Sequence, residues 1–249
     1  AVTSERFLLR ANLPRARAAE TLSALERLYR RIDASCPASD LLRAPEGLLD
    51  VAYFGTEEDF RRHLAEAHPD LSWAPPFFDA SDRMTHVVDV GEGVATTTAE
   101  VLLHEATHQI LHARLGTGRP TADLPHYWAS EGIACHFERL ASDAAPRRLE
   151  RAREAARAGR HVPLETFLQY SQAEINGPDA LEHYAQAASL AGWFLEGDEG
   201  SRREAFWCYL AHVEAGEAEA GTFAEFFPDP PAAYESAWLS ALRGAQGAR

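Results

Sequence analysis

Two histidines and a glutamate in the stretch Val101–Leu111, VLLHEATHQIL, are the residues of this chain whose types and spacing can do chemistry. His104 and His108 stand four apart. On a helix they share one face, about 6 Å apart along the axis at 1.5 Å per residue, close enough for both imidazoles to bind one metal ion. Zinc suits such a pair. Neutral imidazole is a good ligand, and tetrahedral coordination leaves room for a third protein ligand and a water. Glu105, one position round from His104, is then placed to take a proton from that water instead of binding the metal.

The third ligand decides between classes of zinc enzyme. A histidine six residues after the second, with a glycine midway, would give the metzincin pattern. Those positions hold Arg114 and Leu111, which excludes it. His112 continues the four-residue series, but it lies about 12 Å from His104 along a helix axis and is read as an orienting or structural residue. Glu131 is the better candidate, 23 residues after His108 in the segment PHYWASEGIA. A carboxylate near the start of a second helix completes a two-histidine, one-glutamate set with one position left open.

HEATHQIL followed by WASEGIA resembles the gluzincin zinc peptidases, in particular their compact peptidase MA-like group. Val162–Phe167 (VPLETF) and Tyr184–Leu190 (YAQAASL) resemble later blocks of the same group, so the likeness runs along much of the chain, with its strong motifs at residues 101–138. The resemblance implies an α+β, thermolysin-like fold of two lobes. It also implies zinc on His104, His108 and Glu131, Glu105 as general base, a peptide or protein substrate, and a setting outside the cytoplasm. Some gluzincins use a tyrosine in their helical lobe to stabilise the oxyanion. Tyr184, 53 residues beyond Glu131, is the candidate here, with His126 a weaker one. Family members border the substrate with a sheet edge, and Met84–Val90 is the candidate for it, with an interior strand the equal alternative. One departure stands out. Thermolysin-like enzymes carry an aspartate four residues after the glutamate ligand to orient a ligating histidine, and Cys135 occupies that position here. The orienting group must then come from elsewhere.

The elements that position these residues follow from patterning. Thr97-Thr98-Ala99-Glu100 is a capping box upstream of the motif, and Gly116, Gly118 and Pro120 stop the helix downstream. Val101, Leu102, Leu103, Ala106, Ile110 and Leu111 cover most of its circumference, as in a buried helix. The first hundred residues read β-α-β-α-β: a strand at Phe7-Leu8-Leu9, a helix over 15–32, a strand at Leu48–Phe54, a helix capped by Thr56, a proline-rich loop over residues 69–76, and a strand at Thr85–Val90 ending at Gly91-Glu92-Gly93. Beyond Glu131 the chain turns helical, with helices at Tyr127–Leu140, after Pro163, at Leu181–Leu195, after a cap at Ser201–Glu204, and from Asp229-Pro230. The expected division is an N-terminal α/β lobe over 1–96 and a zinc-helix and helical lobe over 97–249, together one catalytic unit.

Composition narrows the partners. The chain of 249 residues carries 24 basic and 38 acidic side chains, net −14, and every basic residue is arginine. That excess of negative charge argues against nucleic acid or an anionic membrane as partner. The arginine-rich run over 147–160 is interspersed with acids and alanines and reads as a solvated helix face. No apolar run reaches about 18 residues, so no transmembrane segment is expected. Cys36, Cys135 and Cys208 form no C-x-x-C pair and no disulfide framework and read as buried or unpaired thiols, with Cys135 set apart because it lies one helical turn from Glu131. His63, His68, His86, His136, His161 and His212 have no partner pattern in sequence and read as surface or structural residues. Trp193, Trp207 and Trp238 read as core. Two other classes fit the residues: a zinc-holding scaffold that cleaves nothing, and a zinc hydrolase of a non-peptide amide.

Overall fold

The computed structural model describes residues 1–37, 41–90, 97–116, 120–141 and 147–244. It is a mixed α and β structure, mainly helical, with one five-stranded sheet among the described residues, compatible with the α+β class. The expected strand end at residues 91–93 and the helix stop at Gly118 lie outside those residues. The chain divides into two compact units. One holds Ala1–Ala34, Arg43–Arg114 and Phe137–Asp143; the other holds Ser35–Leu42, Leu115–His136 and Ala144–Arg249. The motif helix therefore groups with the sheet, a different partition from a cut at 96/97. No described helix is long and apolar enough to cross a membrane.

In the first unit the elements are β1 (Val2–Thr3), β2 (Phe7–Ala11), α1 (Arg15–Ser35), β3 (Leu49–Phe54), α2 (Glu57–Ala67), β4 (Phe77–Asp79), β5 (Met84–Val88) and α3 (Thr98–Leu115). The sheet order is β1-β2-β3-β5-β4. Two helical crossovers make β2, β3 and β5 parallel, and β1 and β4 pair antiparallel at the two edges. The β-α-β-α-β series is present, with its apolar stripes buried: Ala18, Leu22, Leu25, Tyr29 and Ile32 on α1, Phe60 and Leu64 on α2. Thr56 caps α2, its hydroxyl accepting from the Asp59 amide at 3.2 Å.

The candidate edge strand is interior. β5 lies between β3 and β4, so the edge belongs to β4, in a segment that begins right after Pro75 and Pro76. A three-residue strand has no period to read; it exists because the turn after it folds it back on β5. Asp79 and Asp82 make that turn, accepting from the amides of Ser81 (2.7 Å) and Met84 (2.8 Å). Side chains alternate across β5, so Thr85 meets α3 through Gln109 while His86 meets α2 through His63 on the opposite face.

The second unit is helical: α4 (Trp128–Glu138, its last two residues grouped with the first unit), α5 (Arg147–Arg157), α6 (Leu164–Phe167), α7 (Gln172–Ile175), α8 (Ala180–Glu196), α9 (Arg203–Glu214), α10 (Thr222–Phe226) and α11 (Pro231–Gly244). An aromatic core fixes the start of α4. Trp128 is fully buried, its ring about 6 Å from those of Phe167, Phe194, Phe206 and Tyr209. Trp193, Trp207 and Trp238 are buried as expected. Gly132 lets α8 pass close, since a Cβ there would stand 2.6 Å from the Ala187 carbonyl oxygen. On α5 the alanines Ala152, Ala155 and Ala156 face inward and Arg147, Arg151 and Arg157 outward. The cap expected at Ser201 is not formed. Arg202 takes the cap position of α9 without a side-chain cap bond, and its guanidinium binds Asp198 at 2.6 Å.

Candidate metal centre

Helix α3 opens as its sequence dictates. The Thr97 amide donates to Glu100 Oε2 at 2.6 Å, and the Glu100 amide donates to Thr97 Oγ1 at 3.2 Å, a complete capping box. It ends at Gly116, whose φ of 77° is a conformation glycine adopts without strain. Leu102, Leu103, Ala106, Thr107, Ile110 and Leu111 are buried, while His104, Glu105 and His108 are less completely so. Gln109 sets the helix against the sheet. Its Nε2 donates to the carbonyls of Asp50 (2.7 Å) and Arg83 (2.9 Å), and its Oε1 accepts from the Thr85 hydroxyl at 3.2 Å. At the far end Arg114 binds Asp33 at 2.7 Å and lies over the Tyr29 ring.

The two imidazoles converge. His104 Nε2 and His108 Nε2 are 3.3 Å apart. For nitrogen ligands at about 2.0–2.1 Å from a tetrahedral zinc, the separation between two of them is about 3.3 Å. The donors fit the ion. Glu138 Oε2 lies 3.3 Å from His104 Nδ1, with both side chains about 11% exposed. A carboxylate only accepts, so Nδ1 carries the proton and Nε2 the lone pair, the tautomer that binds a metal through Nε2. Glu138 lies seven residues after Glu131 on α4, two turns further on the same face. The other face of the chemistry is Glu105, whose Oε2 accepts from the Phe78 amide of β4 at 3.0 Å. That bond joins the outer edge of the sheet to Glu105.

In the second unit Glu131 lies in the first turn of α4 and is buried. The Tyr127 hydroxyl donates to it. Burial foremost, then the charge and hydrogen bond of Glu131, push that hydroxyl well above its ordinary value of 10, so it keeps its proton and stays a donor. Gln172 Nε2 donates to the same hydroxyl at 3.0 Å. Tyr127 escaped the sequence reading, although its place four residues before Glu131 puts the two side chains on one side of the chain. Tyr184 donates its hydroxyl to Asn176 Oδ1 at 2.9 Å, with Arg148 over its ring.

His126 is spent on structure. It is fully buried with φ 68°, its Nε2 donates to the Glu219 carbonyl at 2.8 Å, and its Nδ1 accepts from the Tyr209 hydroxyl at 2.8 Å. With both nitrogens engaged it has no donor to offer an oxyanion. His112 packs against the Phe78 ring at 5.2 Å, and burial, then the charge of Arg83, lower its pKa, consistent with a structural role.

Compared with known proteins, the chain matches no family model and no curated protein.

Proposed function

We propose that the chain is a zinc-dependent metallopeptidase of gluzincin type and thermolysin-like architecture, with His104, His108 and Glu131 as the ligands and Glu105 as the general base. The observation that carries the reading is the pair of Nε2 atoms 3.3 Å apart, one of them held in its metal-binding tautomer by Glu138. A bound zinc ion supplies a Lewis acid that polarises a peptide carbonyl and lowers the pKa of a water towards about 7. Every other part belongs to the chain. Glu105, steadied through one oxygen by the Phe78 amide, accepts the proton of the attacking water and returns it to the leaving amine. Glu138 orients a histidine ligand, and Tyr127 holds the glutamate ligand by its hydrogen bond. Tyr184 is assigned to the oxyanion, for which it exchanges its bond to Asn176. β4, the actual edge strand, is assigned to the substrate main chain in place of β5.

The test is digestion of a diverse peptide pool read by mass spectrometry, comparing zinc-loaded wild type with Glu105→Ala. Cleavage by the wild type alone is expected, with zinc retained in the variant. Glu131→Ala is expected to lose most of the zinc, and undiminished occupancy would remove it from the ligand set. Intact peptides with zinc-loaded wild type would sink the peptidase reading in favour of a zinc scaffold or a hydrolase of non-peptide amides.

A further inference from the structure

A second cluster of imidazoles sits on the face of the sheet opposite α3. His63 comes from α2, His68 from the turn after it, and His86 from β5. One ligand nitrogen of each lies within 4.8 Å of the others. His63 Nε2 and His86 Nδ1 are 3.3 Å apart, the same separation as the pair on α3. His86 is fully buried, and its Nε2 stands 3.0 Å from Asp82 Oδ2. The carboxylate fixes the proton on Nε2, so Nδ1 presents its lone pair toward His63. His68 lies between two carboxylates, Nδ1 at 3.2 Å from Asp79 and Nε2 at 3.3 Å from Asp82, so a metal bound through either nitrogen takes the place of that nitrogen's proton and carboxylate contact while the other carboxylate orients the ring.

We propose that His63, His68 and His86 form a second metal site for a zinc-like divalent transition-metal ion, with Asp82 orienting His86. The chemistry of the donors selects the ion: three imidazoles suit zinc and its late first-row neighbours and do not suit calcium or magnesium. The alternative is a chain of hydrogen bonds running from His63 through His86 to Asp82. With His68 held by Asp79 and Asp82 it accounts for each ring singly, and what it leaves over is that one nitrogen of all three comes within 4.8 Å of the others. Phe54 packs on His63, with Phe60 behind it, and Phe77 packs on His68 and is stacked on His86 at 5.1 Å, so the site has an apolar flank. Burial foremost lowers the pKa of His63 and of His86, against the charges of Asp82 and, for His63, Glu66. Both therefore stay in the neutral form that ligates. The site ties α2, the hairpin turn and β5 together, and its role is structural: Asp79 and Phe77 belong to β4, the strand whose Phe78 amide holds Glu105.

Metal-stripped protein titrated with Zn2+, by calorimetry and by elemental analysis after dialysis, tests this. The His104→Ala/His108→Ala double variant isolates the second site and is expected to bind one zinc. Adding His63→Gln or His68→Gln to it should abolish that binding, and Asp82→Asn should weaken it by about 10–100-fold. The proposal is overturned if the double variant binds no zinc, or if His63→Gln/His68→Gln in the wild-type chain leaves its zinc content unchanged. The second measurement does not depend on the double variant folding. A wild type that binds a single zinc, kept in His104→Ala/His108→Ala and lost in His63→Gln/His68→Gln, upholds this site and removes the one on α3.

Discussion

Replacing Glu138 by alanine removes the carboxylate that fixes His104 as the Nδ1–H tautomer, while alanine preserves the helix. Two independent magnitudes bear on the cost. A hydrogen bond to a charged group contributes about 1.5–3 kcal/mol net. Loss of the partner of a metal-ligating histidine lowers metal affinity by about 10–100-fold, which at about 1.4 kcal/mol per decade is about 1.4–2.8 kcal/mol. The ranges agree, and the geometry chooses within them. At 3.3 Å the contact is longer than the 2.7–2.9 Å of a good charge-assisted bond, so the low end applies and zinc should bind about tenfold more weakly. Exposure of about 11% on both side chains leaves little solvent screening to reduce it further. Glu138→Gln keeps an acceptor and loses the charge, and should cost about threefold. Affinity is read by competition with a chromophoric chelator at fixed pH, in a chain carrying His63→Gln and His68→Gln so that one site is counted. Circular dichroism checks the helices. A Glu138→Ala affinity within twofold of its parent, in a folded protein, refutes the role given to Glu138.

Gly132→Ala sets two effects against each other. Helix propensity favours alanine by about 1 kcal/mol, but a Cβ 2.6 Å from the Ala187 carbonyl forces α4 and α8 apart at about 1–3 kcal/mol, so net destabilisation of about 1 kcal/mol is expected in urea unfolding, and a stabilised variant would contradict the close approach. Gln109→Leu keeps volume and strands the carbonyls it served on Asp50 and Arg83, which should cost about 2 kcal/mol in the same assay; an unchanged midpoint would mean that water replaces the amide.

What sequence made legible is what rests on local period or local chemistry. The capping box at Thr97, the glycine stop, the stripes of α1 and α2 and the burial of α3 all follow from residues within a turn or two of one another. What stayed hidden rests on pairing across the chain. Glu138 meets His104 over 34 residues, and only its spacing of two turns from Glu131 hinted at a shared face. The imidazoles of residues 63, 68 and 86 come from a helix, a turn and a strand. No interval between them is a ligand spacing, so each alone read as an incidental histidine. The edge of the sheet stayed undecided for the same reason. Hydrophobic pattern says that a segment is a strand and is silent on which neighbours it takes, and β4 is too short to announce itself.

β4 links the two sites through its alternation. Phe77 and Asp79 point to the face of the imidazole cluster, one stacked on His86 and the other 3.2 Å from His68. Phe78 points to the opposite face, its ring on His112 of α3, and its amide faces outward to Glu105. A slip of one residue in the pairing Phe77↔His86 would send Phe78 to the cluster and withdraw that amide from the base. Three residues provide few ladder bonds to prevent such a slip. A metal ion binding three imidazoles beside Asp79 would fix the register where hydrogen bonds alone are few, and the position of Glu105 would inherit that constraint. On this account a metal at the second site would bear on Glu105 without touching it, through the register of β4.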